Sequence, residues 1–245
     1  MVVTPMKRNP EKPWAIGAAV GMLCANPNII FVGSLMTFVP VLWSFRRCPY
    51  AMRARLAVQS AGIAVDLRDI LLKEKPEPFL AASAKGTVPV LETEAMVIAE
   101  SRDIMIWALT QCDPENWLRD RATSEALIDE NDGPFKTALD HTKYAVRFPE
   151  RDAAKDRAKA AEFLFELEAR LKRQRYLLGD APALADAALR PFVRQFANTD
   201  RAWFDAQDWP HLIGWLTAFE SSERFQQVMA KRPLWVEGAP PQYFP

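Results

Sequence analysis

The pattern of apolar positions divides the chain near residue 112. Before that point, short apolar runs alternate with stretches of helical spacing, and after it the spacing is helical throughout. The expected elements of the first half are a buried strand over 38–43, a helix over 49–62, a strand over 64–71, a short helix over 77–82, a strand over 86–91, a strand over 96–98 and a helix beginning at 100–101. This order predicts an α/β domain followed by an all-helical one.

Two stretches show these periods clearly. The strand over 64–71 alternates, with Val65, Leu67 and Ile70 predicted inside and Asp66 and Arg68 outside. In the second half, one long amphipathic helix carries its apolar residues on one face: Ala160, Leu164, Leu167 and Leu171. No strand-like alternation is recognisable after residue 98, so we expect helices to the end of the second domain.

The first 37 residues fit neither domain. A polar, proline-containing start precedes an uncharged stretch from Trp14 to Phe45 that Asn26-Pro27-Asn28 interrupts. We expect a poorly ordered extension, with Met36 as an alternative start of translation. A signal peptide and a membrane anchor are the competing interpretations. The proposed boundaries are therefore an extension over 1–37, an α/β domain over 38–112, a helical domain over 117–236 and a tail over 237–245.

Composition narrows the classes of function. The 245 residues include 31 basic and 31 acidic ones, and a nucleic-acid partner is not expected because it favours a basic excess. Three widely spaced cysteines fit a reducing compartment better than a disulfide framework, which predicts a cytoplasmic protein. His141 and His211 stand alone and form no metal-binding pattern, so no metal is expected.

Cys48 occupies the most informative position. It follows Arg46-Arg47 and precedes Pro49, which suits the first position of a helix. A thiol at a helix N-terminus beside two arginines is expected to have a lowered pKa and to be a nucleophilic thiolate. A buried, inert cysteine is the alternative. Because Ala51 stands where a second cysteine would close a dithiol motif, a dithiol cycle is excluded at this motif, but the Cys48 thiolate can still form a mixed disulfide with an outside thiol.

Two further motifs accompany Cys48. Pro89 lies inside an apolar strand pattern, which marks either an edge strand or a special site where the backbone of Val88 faces a ligand. Ser101 begins a helix, so its hydroxyl and the neighbouring N–H groups can hold a carboxylate, while Glu100 can accept from an ammonium group. A simple N-cap serine is the alternative.

These motifs resemble those of the cytosolic glutathione S-transferases of the cysteine type, particularly the omega class and its bacterial relatives. The resemblance covers roughly residues 38–235 and rests on Arg-Cys-Pro-Tyr-Ala, the Lys-Glu-Lys-Pro-Glu loop, Gly-Thr-Val-Pro-Val-Leu and Glu-Ser-Arg-Asp-Ile. It implies a thioredoxin-like N-terminal domain, an all-helical C-terminal domain and a homodimer. One departure is Ala183, where relatives carry the Ser or Thr of a helix capping box; Asp180 is a candidate substitute cap.

The resemblance also implies roles for individual residues. Cys48 is expected to be catalytic, with Tyr50 bordering it. Glutathione, as co-substrate, is expected to contact these residues: Tyr50, Lys75, Val88, Pro89, Glu100 and Ser101. Lys75 would hold the glycine end, although a solvated loop lysine is the alternative.

The implied activity is thiol transfer or reduction through a mixed disulfide between Cys48 and glutathione, acting on a small disulfide or electrophilic substrate. Two alternatives remain open. One is conjugation of electrophiles to glutathione. The other is a non-catalytic or membrane-associated protein that shares the fold.

Overall fold

The computed structural model describes residues 38–245, which form two compact units. The first comprises residues 38–114 and Ala230–Pro245, and the second comprises Glu115–Met229. Elements of the first unit are β1 Val41–Ser44, α1 Pro49–Ser60, β2 Val65–Asp69, α2 Glu77–Ala82, β3 Val90–Glu92, β4 Val97–Ile98, α3 Ser101–Gln111 and, at the C-terminus, β5 Tyr243–Phe244. Those of the second are α4 Arg121–Glu130, α5 Lys136–Lys143, α6 Ala153–Leu171, α7 Leu184–Ala197, α8 Arg201–Asp205, α9 Pro210–Glu220 and α10 Glu223–Val228.

The first unit is built on a five-stranded mixed sheet in the order β4-β3-β1-β2-β5. The central strand β1 pairs in parallel with β2 and antiparallel with β3, with Leu42 opposite both Leu67 and Leu91. Leu42 and Trp43 are fully buried, as the unbroken apolar run predicts for a central strand. Helices α1 and α3 pack against each other. The predicted thioredoxin-like α/β domain is confirmed.

The boundaries of one strand and one helix differ from the prediction. The strand expected from residue 86 begins only at Val90, because Pro89 has no N–H for the ladder and Gly86 adopts a φ of +60° in a turn. The helix expected to reach Gly62 ends at Ser60, and Gly62 follows with a φ of +64°, the left-handed conformation that glycine favours after a helix.

The C-terminal residues, described above as a tail over 237–245, include a strand that the sequence analysis did not predict. β5 pairs antiparallel with β2, with Phe244 opposite Val65. Asp66, predicted outside, is buried, and its Oδ1 accepts a hydrogen bond of 2.9 Å from the amide of Gln242. A two-residue strand has no periodicity of its own, so the returning chain could not be recognised from the sequence.

The second unit is helical, as expected. The long amphipathic helix is confirmed as α6, whose four predicted core residues are all buried. Between α4 and α5 the helix continues through a π-helical segment, Asn131–Phe135, which includes Pro134. Pro191 lies inside α7, whereas Pro210 occupies the first turn of α9, where proline is tolerated.

The start of α7 shows how the missing cap is compensated. Ala183 is the N-cap residue and has no side-chain acceptor, but the carboxylate of Asp186 accepts from the amide of Ala183 at 2.9 Å. The same carboxylate accepts from the amide of Leu177 at 3.1 Å and from the indole of Trp215 at 2.8 Å. Asp186, rather than Asp180, therefore satisfies the amide at this helix start.

The predictions for the extension over 1–37, including the signal peptide, the anchor and the start at Met36, lie outside the described residues. Within residues 38–245, no helix combines the length and apolarity needed to cross a membrane.

Candidate functional site

Cys48 is the N-cap residue of α1, directly after the turn that follows β1. Its backbone is extended, with φ −72° and ψ 123°, and its amide donates to the carbonyl of Phe45 at 3.0 Å. Pro49 opens the helix, and the carbonyl of Cys48 accepts the first helical hydrogen bond from Met52 at 2.9 Å. The sulfur is not used as a helix cap, so the N–H groups of the first turn lie beside a half-buried thiol.

The loop before β3 brings a second predicted residue to the thiol. Sγ of Cys48 lies 3.9 Å from the carbonyl oxygen of Val88, and the Val88–Pro89 peptide bond is cis. Val88 is buried in the core cluster that includes Trp43 and Phe79, and Cys48 packs against the same cluster. The structure therefore places Cys48 and Val88, forty residues apart in sequence, side by side.

Ser83 fixes the loop that leads to Val88, and the sequence analysis missed it. Its hydroxyl accepts from the amide of Thr87 and donates to the carbonyl of the same residue, both at 3.1 Å. Ser83 is almost fully buried and follows the last residue of α2. A serine after a short helix has no distinctive pattern, because its partner is set by how the loop folds back.

Lys75 lies at the edge of this loop. The side chain is exposed, and its ammonium sits so close to Gly86 that a Cβ added there would be 3.4 Å from Nζ. The structure thus brings Lys75 to the turn before Val88, although it shows no contact between Lys75 and Cys48.

Ser101 and Tyr50 are connected through Arg53, another residue that the sequence analysis missed. Nε of Arg53 donates to Oγ of Ser101 at 3.0 Å, and its guanidinium carbon lies 5.1 Å from the centre of the Tyr50 ring. Both Arg53 and Ser101 are almost fully buried. The signal in the sequence is an arginine among the apolar residues of a predicted helix. Arginine is seldom fully buried unless it is paired, so such a residue points to a partner elsewhere in the chain.

Glu100 is the N-cap residue of α3 and points to the surface. Its Oε1 accepts from Nζ of Lys85 at 2.5 Å, and both side chains are more than half exposed. This hydrogen bond, and then the charge of Glu100, raise the pKa of Lys85. The carboxylate predicted to receive an ammonium group therefore holds an ammonium group of the chain itself.

Arg55 supplies buried positive charge on the helix that Cys48 caps. Burial lowers the pKa of Arg55 to about 10, while Asp69 and, after it, Cys48 act in the opposite direction. At neutral pH the guanidinium remains charged. Among residues 38–245, no group of three or more His, Cys, Asp or Glu side chains could hold a metal ion.

Comparison with known proteins gives the same picture for both halves. Residues 42–116 match the family model for the glutathione S-transferase N-terminal domain, and residues 127–218 match that for the C-terminal domain. A probable glutathione transferase of Aplysia californica is 46% identical over 46 residues, which are 19% of this chain and 50% of the relative. Glutathione S-transferase omega-1 of Mus musculus is 27% identical over 164 residues, 63% of this chain and 65% of the relative.

The matched stretches thus span half of the first relative and somewhat less than two thirds of the second. Among solved structures, glutathione transferase Omega 3C of Trametes versicolor superposes with a TM-score of 0.67 at 20% identity, covering 81% of this chain and 87% of the other. At that identity, the superposition is evidence for the fold.

Proposed function

This chain belongs to the glutathione S-transferase family, and we propose that it is a glutathione-dependent thiol transferase of the cysteine type. The observation that carries the proposal is the position of Cys48: its sulfur lies at the start of α1, 3.9 Å from the carbonyl of Val88. A nucleophile here would meet the disulfide sulfur of a substrate at the same place where backbone groups can hold the substrate.

Glutathione would lie along the site in an extended conformation. The backbone of Val88 would pair with the cysteinyl part, as an added strand does, and Pro89 and Tyr50 would border it. The carboxylate of the γ-glutamyl end would be held by the hydroxyl of Ser101 and the first amides of α3, a helix of eleven residues. The hydroxyl of Ser101 can donate to this carboxylate, since its oxygen accepts from Arg53.

The two charged ends of glutathione would meet opposite charges. The α-ammonium group would replace Nζ of Lys85 at Glu100, because both are cations that donate to one carboxylate. The glycine carboxylate would pair with the exposed ammonium of Lys75.

The reaction would proceed by two thiol–disulfide exchanges. First, the Cys48 thiolate attacks the glutathionyl sulfur of a mixed disulfide RS–SG; the S–S bond breaks, RS⁻ leaves and takes a proton from water, and Cys48 becomes disulfide-bonded to glutathione. Second, the thiolate of a free glutathione, whose proton passes to solvent, attacks the glutathionyl sulfur of that disulfide, releasing oxidised glutathione and the Cys48 thiolate. The sum converts RSSG and GSH into RSH and GSSG.

The test is glutathione-dependent reduction of a glutathionylated peptide by the wild type, by Cys48→Ser and by the matched control Cys112→Ser. Cys112 follows the last residue of α3. We expect loss of activity only in Cys48→Ser. Equal activity of Cys48→Ser and wild type would overturn the assignment of the nucleophile.

A second assay separates the two reaction types. If the wild type does not reduce the peptide but conjugates an electrophile such as chlorodinitrobenzene with glutathione, the thiol-transfer proposal fails. Failure in both assays, with no stabilisation by glutathione in a thermal shift, would favour a non-catalytic protein of this fold.

The setting of the reaction is part of the proposal. We propose a homodimer in the cytoplasm, where thiols stay reduced and free glutathione can resolve the mixed disulfide. Light scattering coupled to gel filtration tests the dimer. Fractionation of cells tests the compartment, and recovery of the protein in the membrane fraction would contradict it.

A further inference from the structure

Arg55 is a buried arginine on the same helix as Cys48, two turns further on, and only 1% of it is exposed. Side chains on a helix lean toward its N-terminus, so the guanidinium reaches back to the turn that precedes the thiol. There Nη2 donates to the carbonyl of Arg46 at 2.6 Å. Arg55 therefore ties the helix to the turn that carries Cys48.

The second contact of Arg55 is with Asp69, the last residue of β2. Nη1 lies 3.8 Å from Oδ1 of Asp69, and Asp69 is 4% exposed. This is an ion-pair distance but not a hydrogen bond, and among the described residues neither Oδ1 of Asp69 nor Nε of Arg55 has a hydrogen-bond partner. The charge of Arg55 is therefore only loosely matched by Asp69.

Asp69 itself is fixed by the backbone around it. Its carbonyl accepts from the amide of Trp235 at 2.8 Å, and the next residue, Ile70, donates to the carbonyl of Ser44 at 3.0 Å. The carboxylate of Asp69 and the guanidinium of Arg55 are both buried, and low polarity strengthens the effect of a buried charge on its neighbours.

We propose that Arg55 is a positioning residue of the thiol-transfer site, which holds the turn before Cys48 and provides the buried positive charge that favours the Cys48 thiolate. This inference rests on the proposed function, in which Cys48 is the nucleophile. The negative charge of Asp69 has the opposite effect and disfavours the Cys48 thiolate.

Other charged groups around Arg55 are more exposed. The positive charges of Arg232 and Arg46 lower the pKa of Arg55. The guanidinium of Arg47 lies 5.7 Å from the centre of the Phe45 ring. Arg47 is exposed and Arg46 and Arg232 are partly exposed, so solvent screens their charges more strongly than those of Arg55 and Asp69.

The experiment measures the rate at which iodoacetamide alkylates Cys48, from pH 4 to pH 10, by mass spectrometry of the peptide that contains it. We expect Arg55→Met to move the midpoint of the rate–pH profile upward by about one pH unit, because an opposite charge nearby shifts a thiol by about that much or more. Arg55→Lys should stay near the wild type, since it keeps the charge. Arg121→Met, on α4 of the second unit, is the matched control and should not move the midpoint.

Asp69→Asn should move the midpoint of the rate–pH profile downward, because it removes a negative charge. This variant keeps the test decisive if Arg55→Met does not fold. An unchanged midpoint in folded Arg55→Met, or a midpoint that rises in Asp69→Asn, would overturn the role of Arg55, because a purely structural role gives no opposite shifts. Since alkylation needs no glutathione, the proposed activity can fail while this result stands.

Discussion

Asp186 offers a sharp test of the physical account of the helical unit. Its carboxylate is fully buried and accepts three hydrogen bonds, from the amides of Leu177 and Ala183 and from the indole of Trp215. Burial lowers the pKa of Arg190, and the charge of Asp186 offsets part of that lowering. Asp186→Ala removes all of these interactions together.

The expected loss follows from the partners left behind. Asp186→Ala leaves three buried donors without an acceptor, and each such donor costs about 1–3 kcal/mol. These contributions overlap because all three donors meet one carboxylate, so we expect the free energy of unfolding to fall by about 4 kcal/mol. With a urea m-value of about 2–3 kcal/mol/M, the midpoint should fall by roughly 1.5 M.

The assay is urea unfolding followed by far-ultraviolet circular dichroism at pH 7, with Asp180→Ala as the control. Asp180 is an exposed aspartate six residues earlier, and its removal should leave the midpoint unchanged. Trp215→Phe removes one donor, so its effect should be smaller on the Asp186→Ala background than on the wild type. A midpoint for Asp186→Ala within about 0.3 M of the control, or full additivity of the pair, would refute the reasoning.

Three smaller predictions concern other places in the chain. Ala183→Ser supplies the missing N-cap acceptor of α7 and should raise the free energy of unfolding by about 1 kcal/mol, and an unchanged urea midpoint would count against it. Ser83→Ala frees the amide and carbonyl of Thr87 and should raise the KM for glutathione more than it lowers kcat; a change in kcat alone would contradict this. Arg151 lowers the pKa of Asp156, so this pair stabilises the fold above the unfolded-state pKa near 3.8, and its contribution is lost as pH falls through the lower folded-state pKa. The stability difference between wild type and Arg151→Gln should thus be constant from pH 7 to about pH 5 and vanish in strong acid; a difference that persists there would contradict it.

The sequence by itself determined the elements that depend on neighbouring residues. Pro49 after Cys48 places the thiol at a helix start, because proline fits the first turn and its missing amide is not needed there. The spacing of four apolar residues predicted α6, since one face of a helix must be buried whatever lies opposite. The order of strands and helices was enough to predict the α/β and all-helical halves.

The tertiary structure decided the partners. Arg53 reaches Ser101, 48 positions away, and Gln242 reaches Asp66, 176 positions away, and neither pairing leaves a periodic trace. The same holds for Asp186, whose carboxylate accepts from the indole of Trp215, 29 positions away.

The physical reason is that backbone preferences are local, whereas a buried polar group must find its partner wherever the chain returns. Cys48 could be recognised from the residues beside it. Only the folded chain shows three other features, because each depends on segments that folding brings together. They are the loop fixed by Ser83, the ion pair of Lys85 with Glu100 and the buried charge of Arg55.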